Sequence, residues 1–251
     1  MTICETYLSA PTGAPAGTLI AELRDRASVT RDAAWQHISD VPLAEAQVGE
    51  GRPVPAPLEA LDRGSATLLA VGTHGAGHIA GMPLGSVATS MLQQAPCPVL
   101  VGRGSDDPAW SPDSIVVGMD GLREALVSAV IAAELGDRFG ASVRTIAAQG
   151  GPWRALSAST LLVTVKAVDD PSSAASERPF DDAGLDPRAE WIFLRGEPAA
   201  EIVQAAADSR ADMIVIGSRG RGALAASILG SVSSSVASRS ACPVMVVRAR
   251  A

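Results

Sequence analysis

Two glycine-rich stretches share the pattern Gly-x2-Gly-x9-Gly-Ser, which could bind an anion. Each follows an apolar run typical of a buried strand and precedes a predicted helix. The free N–H groups and positive dipole end of a helix N-terminus attract anions, and glycines let backbone amides approach phosphate oxygens. The serine hydroxyl can cap the helix or donate to a phosphate. The pattern predicts a phosphate-binding loop at Gly72, Gly75, Gly85 and Ser86, and again at Gly217, Gly220, Gly230 and Ser231.

Neither stretch matches the common phosphate-binding motifs. No lysine follows the final glycine, as it does in a P-loop, and the spacing differs from the Rossmann fingerprint. A second interpretation stays open, in which the glycines only permit a tight crossover between strand and helix. For Arg219 and Arg221 within the second stretch, contact with phosphate and simple solvation are both open. His74, at the place of Arg219 in the first stretch, is interpreted as an exposed loop residue.

The two stretches belong to a longer repeat. Gly51 to Arg103 matches Gly196 to Arg248 without a gap at an offset of 145 residues, and both copies contain a Cys-Pro-Val segment. An offset of that size predicts a duplicated domain rather than a solenoid. The segment SDDPAWSPD is acidic and rich in proline and serine, as linkers are. The predicted domains are therefore residues 1–104 and 114–251, joined by a linker at 105–113.

The second domain alternates predicted strands and helices. Two helices are predicted from apolar periodicity and end signals, Leu122 to Phe139 before Gly140 and Ser231 to Ser240, and Pro198 suits the first turn of a third. The predicted strands are Ser114–Met119, Val143–Ala148, Trp191–Leu194, Met213–Ile216 and Val244–Arg248. Such alternation is typical of an α/β fold with a doubly wound parallel sheet, in which ligands bind beyond the carboxyl ends of the strands.

Composition excludes several classes of protein. The 251 residues are 47% hydrophobic and carry a formal charge of −7, so nucleic acid and anionic lipid are repelled overall. No apolar run approaches the length of a membrane span, and the first residues lack the features of a signal peptide, so a cytoplasmic location is expected. Cysteine and histidine spacing predicts neither disulfides nor a metal site. Cys97 and Cys242 are interpreted as small core residues.

The loops VGTHGAGHIAGMPLGSV and IGSRGRGALAASILGSV, each followed by a Cys-Pro-Val strand, resemble the universal stress protein family in its tandem-domain form. The resemblance implies five parallel strands per domain in the order 3-2-1-4-5, with ATP bound in many members. It also implies antiparallel pairing of the last strands, Val99–Arg103 with Val244–Arg248, within one chain or in a homodimer. By this resemblance, the nucleotide-binding positions in this sequence are Gly118, Met119, Asp120, Ala147, Ile216, Gly217, Gly220, Gly230, Ser231 and Val232.

Within that set, Asp120 is expected to contact the adenosine moiety, and the loop to hold ribose and phosphates. Asp120 also directly precedes a predicted helix, so a capping role is open beside nucleotide binding.

The first domain departs from the pattern. Thr2–Leu8 and Leu43–Val48 suit its second and third strands and Thr18–Ile38 the helix between them, which leaves its opening strand and helix without a match. The first loop, with Gly72, Gly75, Gly85 and Ser86, is therefore expected to bind a nucleotide more weakly than the second. The second domain also contains an extra β-like run, Leu161–Val168, which is interpreted as an edge strand or as a strand packed on the first domain.

The expected function is adenine nucleotide (ATP) binding, with or without Mg²⁺, in stress-response regulation, mainly by the second domain. The alternative is a scaffold or interaction module of the same fold that binds no nucleotide. The sequence offers no general base or arginine-plus-metal constellation beside the loop, so a dedicated ATP-hydrolysing enzyme is not predicted.

Overall fold

The chain forms two compact units in the computed structural model, Met1–Ala66 and Thr67–Ala251. The structure describes residues 3–8, 25, 28–29, 32, 45–50, 52–63, 66–73, 84–103, 110–149, 190–220 and 229–249. The predicted strand Leu161–Val168 lies outside these residues. So does most of the predicted linker, and the domain boundaries at 104 and 114 stay a prediction.

The first unit contains a parallel pair of strands, β1 (Ile3–Leu8) and β2 (Glu45–Glu50), followed by helix α1 (Pro55–Arg63). The strands pair from Ile3 with Glu45 to Leu8 with Glu50. Four residues of the predicted helix 18–38 are described, at positions 25, 28, 29 and 32, and all four are helical. In a doubly wound sheet, the second and third strands are parallel and a helix connects them, as in this unit.

The second unit is built on one seven-stranded sheet in the order β3-β4-β9-β8-β5-β6-β7. Its helices are α2 (Ser86–Gln94), α3 (Arg123–Phe139), α4 (Pro198–Asp208) and α5 (Ser231–Arg239). Its strands are β3 (Leu69–Gly72), β4 (Val99–Gly102), β5 (Ser114–Gly118), β6 (Ser142–Gln149), β7 (Glu190–Arg195), β8 (Met213–Gly217) and β9 (Val244–Val247).

The second repeat has the strand order that the family resemblance implies. Its strands β5 to β9, numbered one to five, lie in the order 3-2-1-4-5, and all neighbours among them are parallel. This order and the mixed α/β architecture confirm the predicted fold class.

Buried apolar strands form the centre of this sheet. Every residue of β8 and β9 is buried, and so are the residues of β5 after Ser114. Helix α3 covers one face, where Ala125, Ala129 and Ala132 pack with side chains of β5, β8 and β9. The helix ends as predicted at Gly140, which adopts φ +70° and donates its N–H to the carbonyl of Gly136.

An antiparallel pair joins the two repeats. Strand β4 pairs with β9, so that Val99, Leu100 and Val101 lie opposite Val246, Met245 and Val244. These are the strands that the family resemblance pairs. The sheet therefore continues from the second repeat into β4 and β3, and residues 67–103 belong to the same compact unit as the second repeat.

Two matched arginines bind across this junction. The Nη2 of Arg103 donates to the carbonyl of Ala237 in the last turn of α5. Its counterpart Arg248 donates from Nη2 to the carbonyls of Leu92 and Gln93, at 3.0 and 2.9 Å, in the last turn of α2. Each repeat thus supplies a cation to the carbonyl end of the other repeat's helix, where positive charge is stabilising. Burial lowers the pKa of both guanidinium groups from the ordinary value.

The first turn of α3 lies directly on the end of β8. A Cβ added at Gly217 would stand 2.9 Å from Cβ of Glu124 and 3.0 Å from the backbone nitrogen of Ala125. Both atoms are fixed by the backbone of α3, so they cannot move aside without shifting the helix. Only glycine at this position permits the close approach.

We expect Gly217→Ala to lower the free energy of unfolding by about 1–3 kcal/mol, because the added methyl group overpacks the contact with α3. Gly102 is a matched control, since it also ends a strand and its added Cβ would lie 3.6 Å from the carbonyl of Val71, an ordinary contact. Urea unfolding of both variants tests the prediction. Equal stability of the two variants would contradict it.

We expect Arg248→Met to cost about 1–3 kcal/mol, because two helix carbonyls lose a charged donor while the apolar stem is kept. Arg103→Met removes the reciprocal bond and is expected to destabilise in the same direction. Thermal unfolding followed by circular dichroism measures both. Melting temperatures of both variants equal to that of the wild type would show that the junction does not depend on these bonds.

Candidate functional site

Three parallel strands of the second repeat end at one edge of the sheet. Gly118 at the end of β5 lies beside Ile146 on one neighbour and Ile216 on the other. Ala147 follows Ile146, and Gly217 follows Ile216. The structure thus brings Gly118, Ile216 and Gly217 to the carboxyl ends of β5 and β8, with Ala147 beside them on β6. Doubly wound sheets bind ligands at these carboxyl ends.

Asp120 lies just beyond β5. The N–H of Met119 donates to the carbonyl of Ile146 at 2.8 Å, and the Met119 side chain packs in the core with 5% of it exposed. Asp120 Oδ1 accepts the N–H of Leu122 at 2.9 Å. This is a turn ahead of α3 rather than a cap on the helix's own amides, because the residue at the N-cap is Leu122.

The other oxygen of Asp120 faces the glycine-rich loop. A Cβ added at Gly220 would stand 2.9 Å from Asp120 Oδ2, so the backbone of Gly220 and this carboxylate lie close together. The sequence separates these two residues by 100 positions. Their approach is the central geometric feature of the candidate site.

The loop after β8 is closed at its base by two backbone bonds. The N–H of Ser218 donates to the carbonyl of Val247 at 2.7 Å, and the N–H of Gly230 donates to the carbonyl of Ser218 at 2.8 Å. Gly230 therefore returns to the strand end from which the loop starts. Residues 221–228, including Arg221, lie outside the described part of the chain.

Helix α5 begins at this closed loop with its N-terminal amides unmatched by a side chain. Gly230 is the N-cap, no side chain caps it, and the first turn contains no acidic residue. Ser231 is exposed and Val232 half-buried at the first two helical positions. The positive end of the helix dipole is therefore not neutralised by the helix's own residues, as an anion-binding helix end requires.

Two hydroxyl groups near the end of β8 were not singled out by the sequence analysis. Ser233 Oγ is buried and donates to the carbonyl of Gly217, which ties the first turn of α5 to the strand. Ser218 is 1% exposed, and its Oγ has no hydrogen-bond partner. The repeat contained a signal for Ser233, because its match 145 residues earlier is Ala88, which cannot make this bond.

Arg219 is held in an ion pair. Its Nη2 lies 2.8 Å from Glu124 Oε1 on the first turn of α3, and the two side chains are 26% and 13% exposed. Simple solvation of Arg219, one of the two alternatives from the sequence, is therefore wrong. No local sequence signal indicated Glu124, because the pairing depends on how α3 packs on the end of β8.

The first-repeat loop has the same base but different surroundings. The N–H of Gly85 donates to the carbonyl of Thr73 at 2.8 Å, as Gly230 does to Ser218. Gly72 and Ser86 lie at the strand end and helix start, and Gly75 lies outside the described residues. In the described sheet, β3 is an end strand, whereas its counterpart β8 lies between β5 and β9.

The described cysteines and acidic residues form no metal site. Within the part of the chain that the structure describes, no group of three or more His, Cys, Asp or Glu could hold a metal ion. Cys97 is buried, and burial raises the pKa of the half-buried Cys242 thiol, which keeps it protonated. None of the described helices is long and apolar enough to span a membrane.

Comparison with known proteins agrees with the repeat and the fold. The model of the universal stress protein family matches residues 2–103 and 112–248. A universal stress protein of Mycolicibacterium smegmatis is 32% identical over 196 residues, which cover 74% of this chain and 63% of that protein. One from Mycobacterium tuberculosis is 28% identical over 189 residues, which cover 73% and 62%. The chain thus spans less than two thirds of the length of these relatives.

A solved structure has the same architecture. The crystal structure of a universal stress protein from Archaeoglobus fulgidus superposes with a TM-score of 0.68 at 20% identity, covering 100% of this chain and 88% of that one. At this identity the likeness concerns the fold. Because the family model matches most of the sequence in two consecutive segments, the chain belongs to the universal stress protein family.

Proposed function

We propose that the chain binds an adenine nucleotide, ATP, at the carboxyl ends of β5 and β8, and that it acts as a nucleotide-dependent regulator in the stress response. The observation that carries the proposal is the approach of Asp120 to Gly220, which joins a hydrogen-bond-accepting carboxylate to a glycine-rich loop. A nucleotide contains both kinds of group that such a site would recognise, hydrogen-bond donors and an anion. Its nucleoside offers hydroxyl and amino donors, and its phosphates are anionic.

The Asp120 side of the site suits the adenosine moiety. A carboxylate accepts hydrogen bonds from ribose hydroxyls or from the adenine amino group, and it repels phosphate. Gly118 ends β5, Ala147 lies on the neighbouring strand β6, and both would line the pocket for the base. Met119 would contribute its backbone, because its side chain is packed in the core.

The loop side suits the phosphates. The first turn of α5 contains no acidic residue, and the Ser218 hydroxyl is buried without a partner. Gly220 and Gly230 have no side chain that would keep a phosphate away from their backbone amides. Ser231 and Val232 would donate from their backbone. Mg²⁺ would arrive on the phosphates, because the described residues contain no cluster of ligands that could bind it independently.

Binding rather than turnover is the proposed activity. Phosphoryl transfer needs a positioned base or water-orienting group together with charged groups on the transferred phosphate. Of the two carboxylates described beside the loop, Glu124 is paired with Arg219, and Asp120 accepts the N–H of Leu122 and is assigned to the adenosine moiety. ATP occupancy would therefore act as a signal, and partners would respond to the occupied or empty state.

Isothermal titration of the full chain with ATP and Mg²⁺ tests the proposal. We expect saturable heat for the wild type and none for Gly220→Val. The added Cβ alone would stand 2.9 Å from Asp120 Oδ2, so the valine side chain would displace this carboxylate and block the loop. Gly75→Val alters the matched glycine of the first repeat and is expected to leave the binding unchanged. Circular dichroism verifies that both variants fold.

The absence of heat from the wild type at millimolar ATP would overturn nucleotide binding and favour the scaffold alternative. Equal loss of binding in both glycine variants would contradict the assignment of the site to the second repeat.

A further inference from the structure

The ion pair between Arg219 and Glu124 lies between the proposed phosphate loop and helix α3. Nη2 of Arg219 is 2.8 Å from Oε1 of Glu124. The base of the Glu124 side chain is fixed, because its Cβ packs against Gly217 at the end of β8. The pair therefore holds one arginine of the loop in a defined place beside the site.

The pair does not satisfy all the donors around it. The Nε of Arg219 is buried without a hydrogen-bond partner, and so is the neighbouring Ser218 Oγ. Buried donors without partners are costly, and a ligand that accepts hydrogen bonds would relieve the cost. The amides at the N-terminus of α5 add further donors beside this strand end.

A second arginine, Arg248, lies near the ion pair, although the chain as a whole carries −7. The carbonyl of Val247 accepts the N–H of Ser218. Arg248 follows Val247 and Arg219 follows Ser218, so the two arginines lie just beyond the ends of neighbouring strands. Burial lowers the pKa of Arg248, the like charge of Arg219 lowers it further, and Glu124 opposes the shift. Glu124 therefore lies within electrostatic range of two guanidinium groups, those of Arg219 and Arg248. The second carboxylate beside the loop, that of Asp120, lies against Gly220.

We propose that Arg219 and Glu124 determine which nucleotide the site prefers by reading the charge of its phosphate chain. Arg219 exchanges its bond with Glu124 for an oxygen of the terminal phosphate, and Glu124 competes with that phosphate for the guanidinium. Phosphates with more charge compete better, so the pair favours ATP over ADP and leaves adenosine unaffected. This inference rests on the proposed nucleotide-binding function.

The proposal predicts opposite effects for the two partners. Glu124→Gln removes the competing charge but keeps a neutral acceptor of the same shape, so ATP is expected to bind about tenfold more tightly. Arg219→Gln removes the cation and leaves Glu124 facing the phosphates, so ATP is expected to bind at least about tenfold more weakly. A pair that only fastened α3 to the loop would weaken binding in both variants.

The experiment compares the affinities of adenosine, ADP, ATP and inorganic tripolyphosphate for the full-length wild type and both variants by isothermal titration. Arg219→Lys, which keeps the charge and loses the fork of donors, replaces Arg219→Gln if that variant does not fold. A matched control is the ion pair of Arg144 with Glu190, also 2.8 Å long, between β6 and β7. Glu190→Gln is expected to leave all four affinities unchanged.

The expected result is a higher ratio of ATP to adenosine affinity in Glu124→Gln and a lower ratio in Arg219→Gln. Shifts in the same direction, or unchanged ratios while ATP still binds, would overturn the inference and leave the proposed function standing. Binding of tripolyphosphate with the predicted shifts, but of no adenine compound, would support the charge-reading pair and overturn the proposed function.

Discussion

The antiparallel pairing of β4 with β9 is the interaction on which the rest of the second unit depends. It makes one sheet of strands from both repeats and buries Val99 and Val101 against β9. It also carries Arg103 and Arg248 to the last turns of the opposite repeat's helices. Because Arg248 lies at the end of β9, the same pairing fixes a cation beside the loop that follows β8. The fold and the candidate site thus share one junction.

The two loops share a sequence pattern, but their neighbours differ. In the second repeat, β5 and α3 lie beside β8 and contribute Asp120 and Glu124 to the loop. In the first repeat, β3 is the end strand of the described sheet, and two of its four residues are exposed where all of β8 is buried. The glycine pattern alone does not produce the arrangement of the second-repeat loop, because Asp120 and Glu124 come from other elements.

Local sequence signals predicted the elements well and the side-chain pairings poorly. Continuous apolar runs predicted the ends of β5, β8 and β9 to within one or two residues. Strands that are buried on both faces contain apolar residues throughout, so their sequence stands out clearly. Gly140 and Pro198 identified helix ends because their backbone preferences are local. The capping of α4 by Glu197 and the pairing of Arg219 with Glu124 were missed. Glutamate is uncommon as a cap, and the ion pair depends on packing between distant segments.

Hydrogen exchange with and without saturating ATP tests most directly the central claim, that a nucleotide binds at the second-repeat loop and uses Asp120. Bound ligand slows exchange where it restricts local opening. The account predicts slower exchange at residues 118–122, 217–220 and 229–234, and no change at the matched first-repeat residues 72–73 and 84–89. Protection confined to the first-repeat residues, or no protection anywhere at saturation, would contradict it.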